Sequence, residues 1–307
     1  MRYTGASPIS CPVQVSLPFA CRSLMENAPP KVAWIVGGSS GLGLAIAAEL
    51  LAAGYHVTLF ARDVDRLEQA RRTLLESKSG LAESRVSIAA MDATDADDVS
   101  RTFASRYRAN GRLDLLVNAV GQSCRSSLLQ PNLAQFREMM EVNYFAVVHT
   151  TLVALPWLLQ HQGSLVNIAT LAAKTPWPWM APYGASKAAV ANFSDNVRLE
   201  TAGQLHVLLV CPGPIKRSDA GQRYTSQTTG MSQAANRPGA GAPVAALCPD
   251  WLAKQIVLAI VRRRLQLIYP WKARLLILAQ AISSRLGYWL ALRLTARHRA
   301  AVPPNSN

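Results

Sequence analysis

The chain has 307 residues, half of them apolar, with 32 Lys and Arg against 18 Asp and Glu, a formal net charge of +14 at pH 7. That size and apolar content suit one large buried core, as in alternating strand-helix folds that reach about 250 residues as a single domain. The five histidines (His56, His149, His161, His206, His298) lack zinc-site spacing, and the five scattered cysteines (Cys11, Cys21, Cys124, Cys211, Cys248) are odd in number; no metal is predicted, and reduced thiols of a cytoplasmic protein are.

Residues 1–30 contain Pro8, Pro12, Pro18, Pro29 and Pro30, which interrupt any apolar signal-peptide core. They are predicted to be a disordered extension, with Met25 as an alternative start. The run KVAWIVG at Lys31 reads as a buried strand and feeds Gly37-Gly38-Ser39-Ser40-Gly41-Leu42-Gly43. Leu42 to Ala53 (LGLAIAAELLAA) then reads as a helix ending at Gly54. Glycines at such a turn let backbone N–H groups and the helix dipole hold a pyrophosphate. Gly37, Gly41 and Gly43 are the candidate positions, spaced Gly-x-x-x-Gly-x-Gly.

The second strand, YHVTLFA at Tyr55, ends in Ala61-Arg62. An acidic side chain there would bind a ribose 2′-hydroxyl, whereas arginine suits the 2′-phosphate of NADP. Arg62 therefore argues for NADP (NADPH) over NAD, while Ser39 adds no second positive charge. Further strands are read in RVSIAA at Arg85, LDLLVNA at Leu113, GSLVNIA at Gly163, HVLLVC at His206 and LQLIY at Leu265, each separated from the next by a helical pattern. This alternation predicts an α/β fold with a parallel sheet covered by helices on both faces. The uncharged stretch from Val142 to Ala173 is broken by Asn143, Pro156, Gln160, Gly163 and Asn167, and reads as a core helix followed by the fifth strand.

Tyr183 and Lys187 are four residues apart and fall on one helix face. A free tyrosine ionises near pH ~10. A lysine cation one turn away is expected to favour the phenolate and draw that value towards the working range of an acid or base. Trp177, Pro178, Trp179 and Met180 just upstream would line the mouth of a pocket and favour an apolar substrate. Residues 216–250, rich in Gly, Ala, Ser, Thr and Gln, show no periodicity and read as a mobile lid.

From Trp251 to the end there are ten Lys or Arg (Lys254, Arg262, Arg263, Arg264, Lys272, Arg274, Arg285, Arg293, Arg297, Arg299) and no acid. Interleaved with Trp271, LLILA from Leu275, Tyr288 and Trp289, this predicts a basic amphipathic helical extension over 271–307. An anionic membrane surface is its candidate partner through 271–299; packing on the core or on another subunit competes. The longest uncharged run there, Leu275 to Ser284, is too short to span a bilayer. Basic charge without a recognisable motif does not predict nucleic-acid binding.

From about Lys31 to Tyr269 the chain resembles the short-chain dehydrogenase/reductases, with motifs in that family's order. VGGSSGLG from Val36 is similar to the family's Thr-Gly-x-x-x-Gly-x-Gly, with Val36 in place of threonine. Asp92 matches the aspartate after the third strand that contacts adenine. NAVG from Asn118 to Gly121 matches Asn-Asn-Ala-Gly, with Ala119 and Val120 departing from it. Asn143 matches the helix asparagine that supports a proton-relay water, and Thr170, thirteen residues before Tyr183, stands where a catalytic serine is usual. Pro212-Gly213-Pro214-Ile215 matches the turn over the nicotinamide, with Arg217 at the place of a cofactor-binding threonine and Ser218 beside it.

The resemblance implies one Rossmann-like, doubly wound domain over 31–270. It implies catalysis by Asn143, Thr170, Tyr183 and Lys187, and a cofactor held by Gly37, Ser39, Ser40, Gly41, Leu42, Gly43, Arg62, Asp92, Asn118, Gly121, Tyr183, Lys187, Pro212, Gly213 and Ile215. The activity implied is NADP(H)-dependent interconversion of a hydrophobic ketone and its alcohol by a homo-oligomer, cytoplasmic or peripheral on a membrane. A 3-oxoacyl thioester, a keto-sphingoid base and a steroid ketone are alternative substrates. A non-catalytic NADP-binding, membrane-associated protein is the alternative of another class.

Overall fold

The computed structural model describes residues 30–77, 82–129, 132–217, 223–228 and 231–295. The predicted extension before Pro30, Ser218, and Arg297 and Arg299 of the tail lie outside the described residues.

Seven strands form one sheet: β1 (Val32–Val36), β2 (His56–Ala61), β3 (Val86–Ala90), β4 (Leu115–Asn118), β5 (Ser164–Ile168), β6 (His206–Pro212) and β7 (Gln266–Tyr269). Their order is β3-β2-β1-β4-β5-β6-β7, and every neighbouring pair is parallel. All seven strand readings are thus met. A parallel sheet is covered on both faces, so β1 is buried at each of its five positions and its sequence runs apolar without alternation. The strand order reverses between β1 and β4, which opens a crevice at the carboxyl ends of these strands.

Successive residues of β1 face opposite layers. Ala33 and Ile35 join an aliphatic layer with Ile46 and Leu50 of α1 (Gly41–Ala52) and Leu252 and Ile256 of α7 (Pro249–Val261). Trp34 points to the other face, among Phe60, Phe103 of α3 (Ala96–Asn110), and Ala154 and Leu158 of α5 (Ala146–Gln160). Its ring centroid lies 4.7 Å from that of Phe103, 5.6 Å from Phe60 and 5.8 Å from Trp157. Aromatic contacts of this kind add roughly 0.5–1.5 kcal/mol each beyond the area they bury.

β3 forms one border of the sheet. Arg71 of α2 (Val64–Glu76) donates through Nε to the Val86 carbonyl at 3.3 Å, and Arg106 of α3 donates to the Ile88 carbonyl.

A single helical rod runs from Leu133 to Gln160: α4 (Leu133–Met140), one π-helical turn (Glu141–Phe145) and α5. By length and composition alone it could cross a membrane. However, Ala146, Val147, Thr150, Thr151, Ala154 and Leu158 of α5 are buried, as expected of a core helix.

The tail forms α8 (Ala273–Ile282) and α9 (Ser284–Thr295), which pack on each other. Ala273 and Ile277 also lean on a small cluster containing Leu209, Cys211 and Ile268. Their outer side leaves Trp271, Leu278, Ile282 and Tyr288 more than half exposed.

Candidate active site

The glycine turn joins β1 to α1 at the crevice. Gly37 and Gly38 both donate their N–H groups to the Phe60 carbonyl, at 2.8 and 3.3 Å. The Gly37 amide is thus committed to Phe60, and the residue is held in close main-chain packing. A Cβ on Gly37 would lie 2.8 Å from the Val120 nitrogen, and one on Gly43 would lie 2.2 Å from the Gly37 carbonyl oxygen. The open donors are further along. Ser40 caps α1 without a side-chain hydrogen bond, no acid occupies the first turn, and Ser40 and Gly41 are exposed. The N–H groups of a helix's first turn have no partner within the helix. Those around Ser39, Ser40, Gly41, Leu42 and Gly43 thus fit the diphosphate of a dinucleotide.

At the end of β2, Arg62 is exposed, and its positive charge reaches Asp92 beyond β3. Partial burial raises the Asp92 pKa, but hydrogen bonds from Thr94 N and Oγ1, at 2.9 and 2.8 Å, and the Arg62 charge lower it further. The net result is a firmly ionised carboxylate.

Asn118 differs from its predicted role. Its side chain is fully buried, donating to Thr151 Oγ1 at 3.1 Å and Asn167 Oδ1 at 2.9 Å and accepting from Thr150 Oγ1 at 2.9 Å. That amide clamps β4 to β5 and α5, with both of its N–H groups committed to protein partners.

Gly121 sits where three functional parts meet. A Cβ there would approach Asn143 Oδ1 to 2.6 Å and Lys187 Nζ to 2.8 Å, at a φ of +154°. Asn143 lies in the π-helical turn, a feature frequent at functional sites. Its Nδ2 donates to Gln122 O at 2.9 Å and Ser186 Oγ at 3.0 Å, and its Oδ1 accepts from Gln122 N at 2.8 Å. This amide is committed to protein partners, so Asn143 acts on its surroundings as a brace between the loop after β4 and α6 (Ala181–Glu200).

Tyr183 and Lys187 occupy the first turns of α6, and Thr170 lies just beyond β5. Thr170 is buried; its hydroxyl hydrogen-bonds the Tyr183 phenol and reaches the Pro212 carbonyl at 3.5 Å. Pro212 ends β6, Gly213 N donates to Tyr269 O at 2.7 Å, and Ile215 bridges to Leu247. Lys187 Nζ donates to Ile168 O at 2.9 Å and Val120 O at 3.3 Å.

The electrostatics depart from expectation. Burial pushes the Tyr183 phenol up to about 12, and Tyr224 raises it too. The Thr170 hydrogen bond and the charges of Arg125 and Arg223 pull in the other direction. Burial also brings Lys187 down to about 8, so its own charge is weakly held. The expected depression of Tyr183 by Lys187 is not what this structure shows.

A stability test follows from Lys187. Its ordinary value is 10.5 and its folded value about 8, so between these pH values the unfolded chain binds more protons than the folded one. Stability should therefore rise with pH across that window, by about 3 kcal/mol over its whole width. Denaturant melts of the wild type and Lys187→Met from pH 7.5 to 10 should show this gain only in the wild type. Parallel pH dependences would refute the lowered lysine.

The segment read as a mobile lid is fastened in its described parts. Short 3-10 turns at Thr225–Gln227, Gln233–Asn236 and Pro238–Gly241 precede α7. Arg125, which sequence reading missed, lies beneath them: Nε donates to Ala235 O at 2.9 Å, and its amide N donates to Gln227 Oε1 at 2.8 Å. Trp177 Nε1 donates to Ala240 O at 3.1 Å, and Ser126 N to Trp179 O at 3.0 Å. The sequence signal for these ties was weak, because they join groups far apart along the chain, 63 residues for Trp177 and 102 and 110 for Arg125, and no local pattern encodes them.

A family model described as short chain dehydrogenase matches residues 31–229. Human dehydrogenase/reductase SDR family member 7 is 32% identical over 188 residues, 60% of this chain and 55% of the human protein. The 11-beta-hydroxysteroid dehydrogenase 1A of Arabidopsis thaliana is 33% identical over 202 residues, 66% of this chain and 57% of that one. The chain thus spans little more than half the length of these two relatives. A dehydrogenase/reductase SDR family protein 7-like from Anopheles gambiae is 31% identical over 264 residues, 85% of this chain and 78% of its own length. Among solved structures, a short-chain dehydrogenase from Streptomyces avermitilis has the same fold, with a TM-score of 0.69 and 24% identity, covering 87% of this chain and 98% of that one. An alcohol dehydrogenase from Thermococcus sibiricus complexed with 5-hydroxy-NADP has a TM-score of 0.64 at 24% identity, covering 78% and 96%.

Proposed function

Since this chain belongs to the short-chain dehydrogenase/reductase family, we propose that it is an NADP(H)-dependent oxidoreductase that interconverts a hydrophobic ketone and its secondary alcohol. The observation that carries this reading is the grouping of the Tyr183 phenol, the Thr170 hydroxyl and the Lys187 ammonium at the carboxyl ends of the strands. Residues 31–270 form the catalytic domain in this reading, and 271–307 an extension.

A bound nicotinamide nucleotide would supply or accept the hydride; the proton is the chain's business. In reduction Tyr183 donates its phenolic proton to the carbonyl oxygen, and in oxidation the phenolate takes it from the alcohol. Thr170 holds and polarises that oxygen with its hydroxyl. Lys187 supplies positive charge beneath the site and a donor for the nicotinamide ribose. Asn143 keeps Gln122 and Ser186 in place at the base of α6, and Pro212, Gly213 and Ile215 would shape the ring's pocket. Because reduction uses the protonated phenol and oxidation the phenolate, reduction should persist to high pH while oxidation climbs with pH.

NADP is favoured by the exposed Arg62 beside Ala61, and by the NADP-type ligand of the Thermococcus relative in fold. Arg62→Ala should raise the KM for NADPH by about tenfold or more, the scale of lost charge-assisted hydrogen bonds, and leave NADH unchanged. An equal effect on both nucleotides would remove Arg62 from the 2′-phosphate.

The outer side of α8 and α9 combines exposed Trp271, Leu278, Ile282 and Tyr288 with Lys272, Arg274, Arg285 and Arg293, which supports contact with an anionic lipid surface. Exposed Leu133, Phe145 and Leu152 offer an apolar surface for self-association. The decisive experiment follows NADPH absorbance against medium- and long-chain ketones, 3-oxoacyl thioesters and ring ketones. Turnover confirms the oxidoreductase; tight NADPH binding without reduction, and without alcohol oxidation by NADP, moves the chain to the binding-protein class.

A further inference from the structure

The C-terminal hairpin meets the rest of the domain around a cavity that the proposed chemistry does not use. A Cβ on Gly287 of α9 would lie 2.6 Å from the Gln280 Cα of α8, so the two helices cross main chain against main chain at these residues. Leu276 and Ala291 stand about one turn from the crossing, on α8 and α9 respectively. The space between them is bordered by Thr175 and Pro176, from the loop that joins Thr170 to Tyr183, and measures about 240 Å³. Its lining is mostly apolar, while Gln280, Ser284 and Tyr288 add an amide and two hydroxyls. Small-molecule sites are commonly built in this way, from an apolar wall and a few polar groups. At about 30 Å³ for each water-sized group, the cavity holds a chain of about eight carbons.

Charge decides what such a chain carries at its end. Residues 171–180 and 251–295, the two segments that border the cavity, contain no Asp or Glu. Lys174 adjoins Thr175, Arg285 adjoins Ser284, and Lys272 and Arg274 stand at the start of α8. This setting attracts an anionic head, repels a cationic one and gives a neutral one no electrostatic gain.

We propose that the cavity binds a single-chain anionic amphiphile, a medium-chain fatty carboxylate. Its alkyl chain lies between Leu276, Ala291 and Pro176, and its carboxylate stays at the rim on the side of Lys174 and Arg285. The site is distinct from the one assigned to hydride transfer, and its occupancy requires neither nucleotide nor turnover. A bound chain would also tie the hairpin to the loop ahead of Tyr183. Leu171 of that loop already packs with Ala273 and Ile277 of α8, and its Cδ1 lies 3.5 Å from where a Gly213 Cβ would stand.

Calorimetric titration of the full chain, free of nucleotide, tests this with straight-chain carboxylates from butanoate to dodecanoate below their micelle concentrations, and with decan-1-ol. Affinity should rise by up to about fourfold per methylene and level off once about eight carbons are buried. Decanoate should bind about fivefold more tightly than decan-1-ol, and Lys174→Gln combined with Arg285→Gln should erase that preference. Ala291→Phe, which puts a ring into the cavity, should weaken decanoate at least about tenfold. Ile282→Asp, on the outer side of the hairpin, should keep decanoate binding even where it reduces adhesion to anionic phospholipid vesicles. Unchanged decanoate affinity in a folded Ala291→Phe protein overturns the site. Loss of decanoate binding in Ile282→Asp places the amphiphile on the outer surface and overturns it as well. Equal affinity for decanoate and decan-1-ol overturns the anionic ligand. Should Ala291→Phe not fold, Ala291→Leu and the chain-length series carry the test: affinity that climbs without levelling up to dodecanoate refutes a cavity of this size. Turnover of a ketone, present or absent, bears only on the oxidoreductase reading.

Discussion

Replacing Tyr183 with phenylalanine is expected to reduce turnover about a thousandfold, within the usual range for loss of a positioned acid-base group, while the fold and nucleotide binding survive. The substitution removes one oxygen. Its hydrogen bond runs to Thr170, whose hydroxyl retains the Pro212 carbonyl as a partner, and the ring itself stays packed. The phenol is desolvated, so deleting it leaves no exposed cavity and adds no unpaired charge. Nucleotide affinity should change by no more than about fivefold, since a single neutral hydrogen bond is worth roughly 1 kcal/mol. Turnover and nucleotide titration on the same preparation check both halves. A variant that keeps substantial activity would place the proton donor elsewhere and undo the mechanism.

Gly43→Ala is expected to be the most damaging Gly→Ala change among the described residues. The new carbon would lie 2.2 Å from the Gly37 carbonyl oxygen and 3.2 Å from the Gly38 Cα, both main chain with no rotamer to yield. Relief requires α1 to move away from β1, and α1 carries Ile46, Ala47, Leu50 and Leu51 into the core. Overpacking of this kind costs about 1–3 kcal/mol, and more where backbone must shift. The same movement would pull the first-turn N–H groups of α1 away from the diphosphate they are proposed to hold. We therefore expect a lower melting temperature together with at least about a tenfold loss of nucleotide affinity, measured by thermal unfolding with and without NADPH. Normal stability and normal affinity would show that the close approach of Gly43 to Gly37 is not required.

What was legible in the sequence is what local pattern encodes. Apolar runs marked each strand, the glycine turn marked the β1–α1 junction, and the four-residue step from Tyr183 to Lys187 marked one face of α6. What was hidden depends on distant partners. Asn118 belongs to a motif associated with the cofactor, yet its side chain turns inwards because Thr150, Thr151 and Asn167, which lie far along the chain, satisfy it there. The pKa of Tyr183 could not be read from the nearby lysine, since burial acts on both groups and outweighs their spacing. The π-helical turn at Asn143 adds a residue to a helix whose composition looks ordinary. Arg125 looked like any loop arginine, because the carbonyls that receive it are about 110 residues downstream.

The two arginines beside β3 have a consequence for the protein as a solute. A strand at the border of a sheet offers its unpaired carbonyls to strands of other chains, which is how orderly aggregates begin. Here Arg71 and Arg106 already donate to Val86 and Ile88, so an incoming strand must first displace two guanidinium groups. Resistance to strand-by-strand polymerisation along this border thus rests on two side chains remote from any chemistry, and a neutralising change at either would be felt first as lost solubility.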